Sequence, residues 1–448
     1  MMNRLYRTVF NRSLGVWQTA SELVNCRGTG GSTMAIRGVM VSGVLLGSVV
    51  MVVPQVQAQT VIDGGTTVTV PGDHASPWNA GTSLTVGDTG TGTLTIENGG
   101  TVSDFNAYIG NNLGSTGAVT VDGAGSTWTN TGNVYIGNSG TGTLDILNGG
   151  QISSNGGNIG YAATGNGTVT VDGAGSIWTN IGDSVVGYNG TGTLIIRNGG
   201  QVSNLAGHIG YNPGSTGTVT VEGAGSTWTN SGNTIVGSQG TGSLTIRDGG
   251  TVSSTGFGAI GATSSGTVTV DGTGSTWTVS GALHTGFQST GTLTISNGGK
   301  VSNSQGLIGE MSGSSGTVTV DGTGSTWTNT GTLTVGDNGT GELTISNGGV
   351  VSNTDGLIGN NSGSTGKVTV DGAGSSWTYG GSLIVGNSGD GELVISNGGH
   401  VSYSSSVQYA TTIGNAAGST GKVTVDGAGS GLTHNSTFIV GFSGNGEL

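Results

Sequence analysis

The sequence predicts an all-β chain folded as a right-handed parallel β-helix, a solenoid of ~25-residue coils grouped in ~50-residue double repeats. Three observations predict it. The first is a period. Trp128, Trp178, Trp228, Trp277, Trp327 and Trp377 stand 50, 50, 49, 50 and 50 residues apart, each inside a near copy of V-T-V-D-G-A-G-S-T-W-T-N. The second is that the period halves. Between two copies sits a segment such as Gly92 to Ser103, G-T-L-T-I-E-N-G-G-T-V-S, with the same skeleton. Aligning the first apolar residue of each half gives Val68, Leu94, Val119, Leu144, Val169, Leu194, Val219, Leu244, Val268, Leu293, Val318, Leu343, Val368, Leu393, Val423 and Leu448. Their steps are 25, apart from one each of 26, 24 and 30. A propeller blade of about 40–50 residues, built from antiparallel hairpins, would not divide into two similar halves. The third is composition. There are 97 glycines in 448 residues and 7% charged residues, with Thr, Val and Ile abundant. That is a β-rich repeat composition. Low charge and abundant glycine would also suit disorder, but the strict apolar register argues against it.

Each coil offers three short strands. Leu94-Thr95-Ile96 alternates apolar and polar, as a strand with one buried face does. Thr101-Val102-Ser103 follows the Asn98-Gly99-Gly100 turn, and Tyr108-Ile109-Gly110 comes third. Stacked at the ordinary strand spacing of ~4.8 Å, about fifteen coils make a rod of roughly 70 Å. Residues 92–448 form these repeats, and residues 59–91 a divergent first coil. Terminal repeats cap an exposed core, and Pro71 and Pro77 discourage a further strand.

Ahead of the rod, residues 38–53 form an apolar run preceded by Arg37 and followed by Val56-Gln57-Ala58. This is the layout of a secretory signal peptide cut between Ala58 and Gln59; an uncleaved anchor is the alternative. We expect residues 28–58 to be the signal core, cleavable and helical, with residues 1–27 as an extension before it. The single cysteine, Cys26, falls in that removed segment, so the mature chain has no disulfide.

Met2 to Arg27 reads M-N-R-L-Y-R-T-V-F-N-R-S-L-G-V-W-Q-T-A-S-E-L-V-N-C-R. It resembles the extended signal peptide region of type V secretion proteins. The likeness is carried by Asn3, Tyr6, Val9, Phe10, Asn11, Gly15, Val16, Trp17, Ser21 and Glu22. The repeats resemble those of autotransporter passengers, through G-T-L-T-I-x-N-G-G, the I-G before G-S-T-G, and V-T-V-D-G-A-G-S-T-W-T-N. Together these resemblances imply post-translational export from a Gram-negative cell through the general secretion machinery, then passage to the cell surface or outer membrane. They also imply the outer-membrane barrel assembly machinery as a partner wherever a barrel follows. No barrel strands precede Leu448, which opens a new coil, so a translocator is expected to be missing from this sequence. A chain truly ending there would stay in the periplasm. Two-partner-secreted and trimeric adhesins are rival routes, but the sequence shows neither N-P-N-type motifs nor coiled-coil necks.

Charge excludes one class of partner. Residues 1–58 carry five arginines against Glu22, or +4, while the remainder carries 5 basic and 22 acidic residues, or −17. An acidic rod repels nucleic acid. Turn acids recur in alternate coils (Asp122, Asp172, Glu222, Asp271, Asp321, Asp371, Asp426). They read as turn formers, because the tandem G-G-x-G-x-D pattern of calcium β-rolls is missing. We therefore expect neither metal nor cofactor.

The tryptophans could stack on sugars as an exposed stripe, but filling the core is the better reading; Leu432 replaces Trp in the last copy. The coil from Leu393 to Val423 has about five extra residues, expected to bulge with Tyr403 and Tyr409 as a contact loop for a glycan or protein ligand of a host or cell surface. No catalytic residues are expected. The five basic residues after Ala58 are Arg197, Arg247, Lys300, Lys367 and Lys422, and no nucleophile-elbow or metalloprotease motif occurs. Uniform repeats without a functional break read as an adhesive or display rod. A β-helical carbohydrate-active enzyme is the rival.

Overall fold

The computed structural model describes residues 6–11, 16–21, 59–405, 410–434 and 437–448. Residues 1–55 and 56–448 are separate compact units.

In the first unit the helical expectation falls on residues 28–58, which lie outside the described residues, and the two described segments ahead of them are strands. Tyr6–Asn11 and Val16–Ser21 form an antiparallel ladder with Phe10 opposite Trp17 and Tyr6 opposite Ser21. Both segments are rich in β-branched and aromatic residues, which favour strands. The apolar run 38–53 and Ala58 lie outside the described residues.

The second unit is a parallel β-solenoid. Three sheets of 16, 15 and 16 strands run along it, and each strand pairs with its equivalent one coil away. All these ladders are parallel, which excludes propeller blades. The apolar register is the ladder register: Val68 faces Leu94, Leu94 faces Val119, and the series continues to Leu393 opposite Val423. The 24- and 30-residue steps leave that pairing intact, because the differences fall in the connections between strands.

One coil shows how the pattern folds. In Thr216–Glu222, the long strand, Gly217, Val219 and Val221 point inward. Thr227–Asn230 buries Trp228 and Asn230, and Gly207–Ile209 in the neighbouring coil buries Gly207 and Ile209. The six tryptophans are all 0% exposed, and each lies between aliphatic residues of adjacent coils; Trp128 sits between Val102 and Ile152. Each bulky ring is matched by space. A Cβ at Gly207 would stand 2.5 Å from Cζ2 of Trp228, and Gly157 and Gly306 meet Trp178 and Trp327 in the same way. Trp78 and Leu432 occupy the tryptophan register at the two ends and are partly buried against the core.

Five of the six buried indole N–H groups are served by a polar row inside the rod; that of Trp277, where Val279 and Ser254 replace the row's asparagines, has no partner among the described residues. Trp228 donates to Asn204 Oδ1 at 2.7 Å, Trp327 to Asn303 at 2.7 Å, Trp178 to Ser154 Oγ at 3.1 Å and Trp128 to Asp104 at 3.3 Å. Asp104 is the exception in charge. Burial pushes its carboxyl up to about 8, against a lesser lowering by the Trp128 bond. A folded pKa above the unfolded value means the fold holds the extra proton. Stability from this group is full below about pH 4 and is lost progressively as pH rises towards 8. Asp104→Asn, the residue at equivalent position 204, is thus expected to raise the melting temperature at pH 7.5 and leave it unchanged near pH 3.5. Thermal melts at the two pH values check this; an equal shift at both would assign the effect to packing instead.

Candidate functional site

On the outside, the third sheet carries two rows of side chains, one per coil. One row sits mid-strand and the other directly after the Gly that ends the strand. In the second row the default is a ladder of carboxamides headed by an aspartate. Asn111 Nδ2 donates to Asp88 at 2.7 Å and Asn138 to Asn111 at 2.9 Å. Further along, Asn360 donates to Asp337 at 2.7 Å, Asn387 to Asn360 at 2.8 Å and Asn415 to Asn387 at 2.8 Å. Between these ladders the row changes to Tyr161, Tyr188, Tyr211, Ser238, Ala262, Phe287 and Glu310. The expectation of repeats without a break is therefore corrected: the break lies on the exterior, where no core period constrains the sequence.

The aromatic side chains in and beside this break touch in series. Tyr108 stacks on Tyr135 at 5.0 Å in the mid-strand row, and Tyr135 meets Tyr161 edge-on at 5.0 Å across the two rows. Tyr161, Tyr188 and Tyr211 follow at 4.8 and 5.2 Å, and His208 meets Tyr211 edge-on at 5.1 Å. Burial raises the Tyr108 and Tyr161 hydroxyl pKa values, with smaller pushes from neighbouring tyrosines. The Tyr108 and Tyr161 hydroxyls stay neutral at physiological pH.

A groove of about 260 Å³ opens beside the last three rings. Asn158 and Val185 lie mid-strand at its base, where larger rings stand in the flanking coils. Tyr188, Tyr211 and His208 line one side and Asn133, Asn155 and Asp183 contribute from the turns. Asn155 donates to Asn133 Oδ1 at 3.1 Å, and Asn133 Nδ2 donates to the Tyr135 hydroxyl at 3.3 Å. Asp183 Oδ1 accepts the Ala206 N–H at 3.0 Å. Desolvation lowers the His208 pKa, more than the Asp183 carboxylate raises it, so the imidazole is neutral at pH 7. Its Nδ1 is buried without a hydrogen-bond partner among the described residues.

The residues singled out from sequence fall elsewhere. The tryptophans are in the core. Tyr403 ends the strand His400–Tyr403, with its ring 5.6 Å from Tyr379 and its hydroxyl buried, so it faces the core and does not sit in a protruding loop. Tyr409 lies outside the described residues. Of the export-signal residues, Tyr6, Val9, Phe10 and Asn11 share one strand and Val16, Trp17 and Ser21 the other; Asn3, Gly15 and Glu22 lie outside the described residues. Gln59 donates to Thr85 Oγ1 at 3.2 Å at the start of the rod. The turn acids meet turn asparagines held at φ between 50° and 54°. Asn198 donates to Asp172 at 2.7 Å and Asn297 to Asp271 at 2.6 Å. Among the described residues no group of three or more His, Cys, Asp or Glu is placed to hold a metal ion.

The tyrosine series left a trace in the sequence. Tyr108, Tyr135, Tyr161, Tyr188 and Tyr211 step by 27, 26, 27 and 23, close to one coil. Over this stretch the steps within either row alternate between 27 and 23, and the switch of rows between Tyr135 and Tyr161 turns one step of 23 into 26.

Comparison with known proteins adds two findings. Residues 2–51 match the family described as Extended Signal Peptide of Type V secretion system. A solved structure, described as the crystal structure of a TibC-catalyzed hyper-glycosylated TibA55-350 fragment, aligns over 84% of this chain and all of its own at 16% identity and TM-score 0.40. No curated protein matches the sequence. The chain joins an N-terminal segment of the type V secretion signal family to a parallel β-solenoid, as the resemblances implied.

Proposed function

We propose that residues 59–448 are an autotransporter-type passenger rod, displayed at the surface of a Gram-negative bacterium for adhesion or aggregation. The observation that carries this reading is a type V export signal ahead of a solenoid in which four of the five lysines and arginines pair with carboxylates of neighbouring coils. Arg197 pairs with Asp172 of the coil beneath, Arg247 with Glu222, Lys367 with Glu392 and Lys422 with Glu447. Acid–base catalysis needs such groups free and clustered around a substrate. The same reading takes residues 1–27 and 28–58 as the export segments, residues 59–91 as the capping coil, the general secretion machinery as the export partner, and barrel assembly as the outer-membrane step.

Beads coated with the purified full chain test the role. Coated beads are expected to aggregate or to adhere to cells and polysaccharide surfaces well above uncoated beads. Adhesion equal to the uncoated control overturns the adhesive role. Measurable cleavage of bacterial or plant polysaccharides by the same preparation would replace it with an enzymatic one.

A further inference from the structure

We propose that the groove bounded by Tyr188, Tyr211 and His208 binds a neutral oligosaccharide, which names the ligand class of the adhesive role and rests on that role. A sugar ring has an apolar C–H face and a rim of hydroxyls. The groove offers both complements. Tyr188 and Tyr211 supply ring surface over two successive coils, with centroids 5.2 Å apart. Asn133, Asn155 and Asn158 each carry a carboxamide, which donates and accepts, and Asp183 accepts only. A few placed polar groups beside aromatic surface is the usual make-up of a small-ligand site. Its volume, about 260 Å³, suits one or two sugar rings of a longer chain.

Two observations favour a neutral sugar. No lysine or arginine lines the groove, its one charged side chain is Asp183, and the rod around it is acidic. Sulfated, phosphorylated and carboxylated ligands are therefore repelled. Position supports the same conclusion. From Asp88 to Asn138 and from Asp337 to Asn415 the row bonds to itself as an aspartate–asparagine ladder, and between those two stretches it gives up those bonds for tyrosines and other side chains.

The test uses the purified full chain on immobilised neutral oligosaccharides, sialylated and sulfated oligosaccharides, and extended peptides. Titration calorimetry then measures the tightest ligand. Neutral oligosaccharides are expected to be retained. Combining Tyr188→Ala with Tyr211→Ala is expected to weaken them about tenfold or more, while Tyr108→Ala, outside the groove, leaves binding unchanged. Circular dichroism verifies that each variant is folded, and Tyr188→Phe with Tyr211→Phe supplies a gentler pair should the alanines unfold. Retention of only anionic sugars or peptides overturns the proposal, as does unaltered neutral-sugar binding in a folded double variant. Bead adhesion separates the two readings. If wild-type and double-variant beads adhere equally, the groove assignment fails and the adhesive role stands. If neither adheres, both fail.

Discussion

Trp228→Ala is expected to destabilise the rod around its coil by about 3–5 kcal/mol. The side chain is 0% exposed and faces Val202 and Val252 in the coils on either side. Removing it deletes a large buried surface and leaves a cavity that Gly207, lacking a side chain, cannot fill. It also takes away the indole N–H that Asn204 Oδ1 accepts at 2.7 Å. Because a solenoid is stabilised by neighbouring coils, the loss should be local. Native-state hydrogen exchange is the fitting measurement. Amides of Gln201–Asn204 and Thr251–Ser254 should lose protection while those near residue 400 keep theirs. A loss under about 1 kcal/mol would mean that the indole is not packed as described.

Gly217→Ala is expected to cost at least as much as an ordinary overpacked core, about 3 kcal/mol or more. Its Cβ would fall 2.2 Å from the Val186 carbonyl oxygen and 2.5 Å from the Gly210 nitrogen. Both are backbone atoms, so no rotamer change relieves the clash; the long strand must separate from the corner beneath it. Gly214→Ala is the control. A Cβ there meets nothing within 4 Å, and the residue's φ is +81°. Only the left-handed strain remains, about 1–2 kcal/mol. Urea or thermal unfolding of the two variants should rank Gly217→Ala well below Gly214→Ala. Equal losses would show that the corner yields and that the close approach is not what selects glycine.

The difference between these positions also explains what could be read from the sequence. Val68 to Val423 are legible because every inward residue must match the one above it, and a one-residue slip would turn the strand inside out. Trp128 and its successors are legible for the same reason. The glycines of the T-G-x strands repeat because backbone fills the place of a side chain. The groove obeys no such rule. Asn158, Val185 and His208 occupy one row on the outer side of the sheet, where no core partner in the next coil dictates the residue. Tyr135 and Tyr161 belong to different rows, so their spacing does not follow the steps of either row. The first strands were missed for another reason. Residues 1–27 are legible as an export motif, which carries no secondary-structure expectation of its own, whereas their β-branched and aromatic residues favour the ladder between Tyr6–Asn11 and Val16–Ser21.

The seating of five of the six tryptophans on a glycine of the preceding coil also limits how such a molecule can change its length. Trp228 lies over Gly207 and Trp327 over Gly306, so large and small coils must alternate. Excising one coil would bring two tryptophan coils together, or two without any, and the mismatch would sit in the core. Excising two restores the alternation. Gene rearrangements that preserve the fold should add or remove coils in pairs, so lengths among descendants of such a gene should be quantised in steps of about fifty residues, with odd coil numbers selected against.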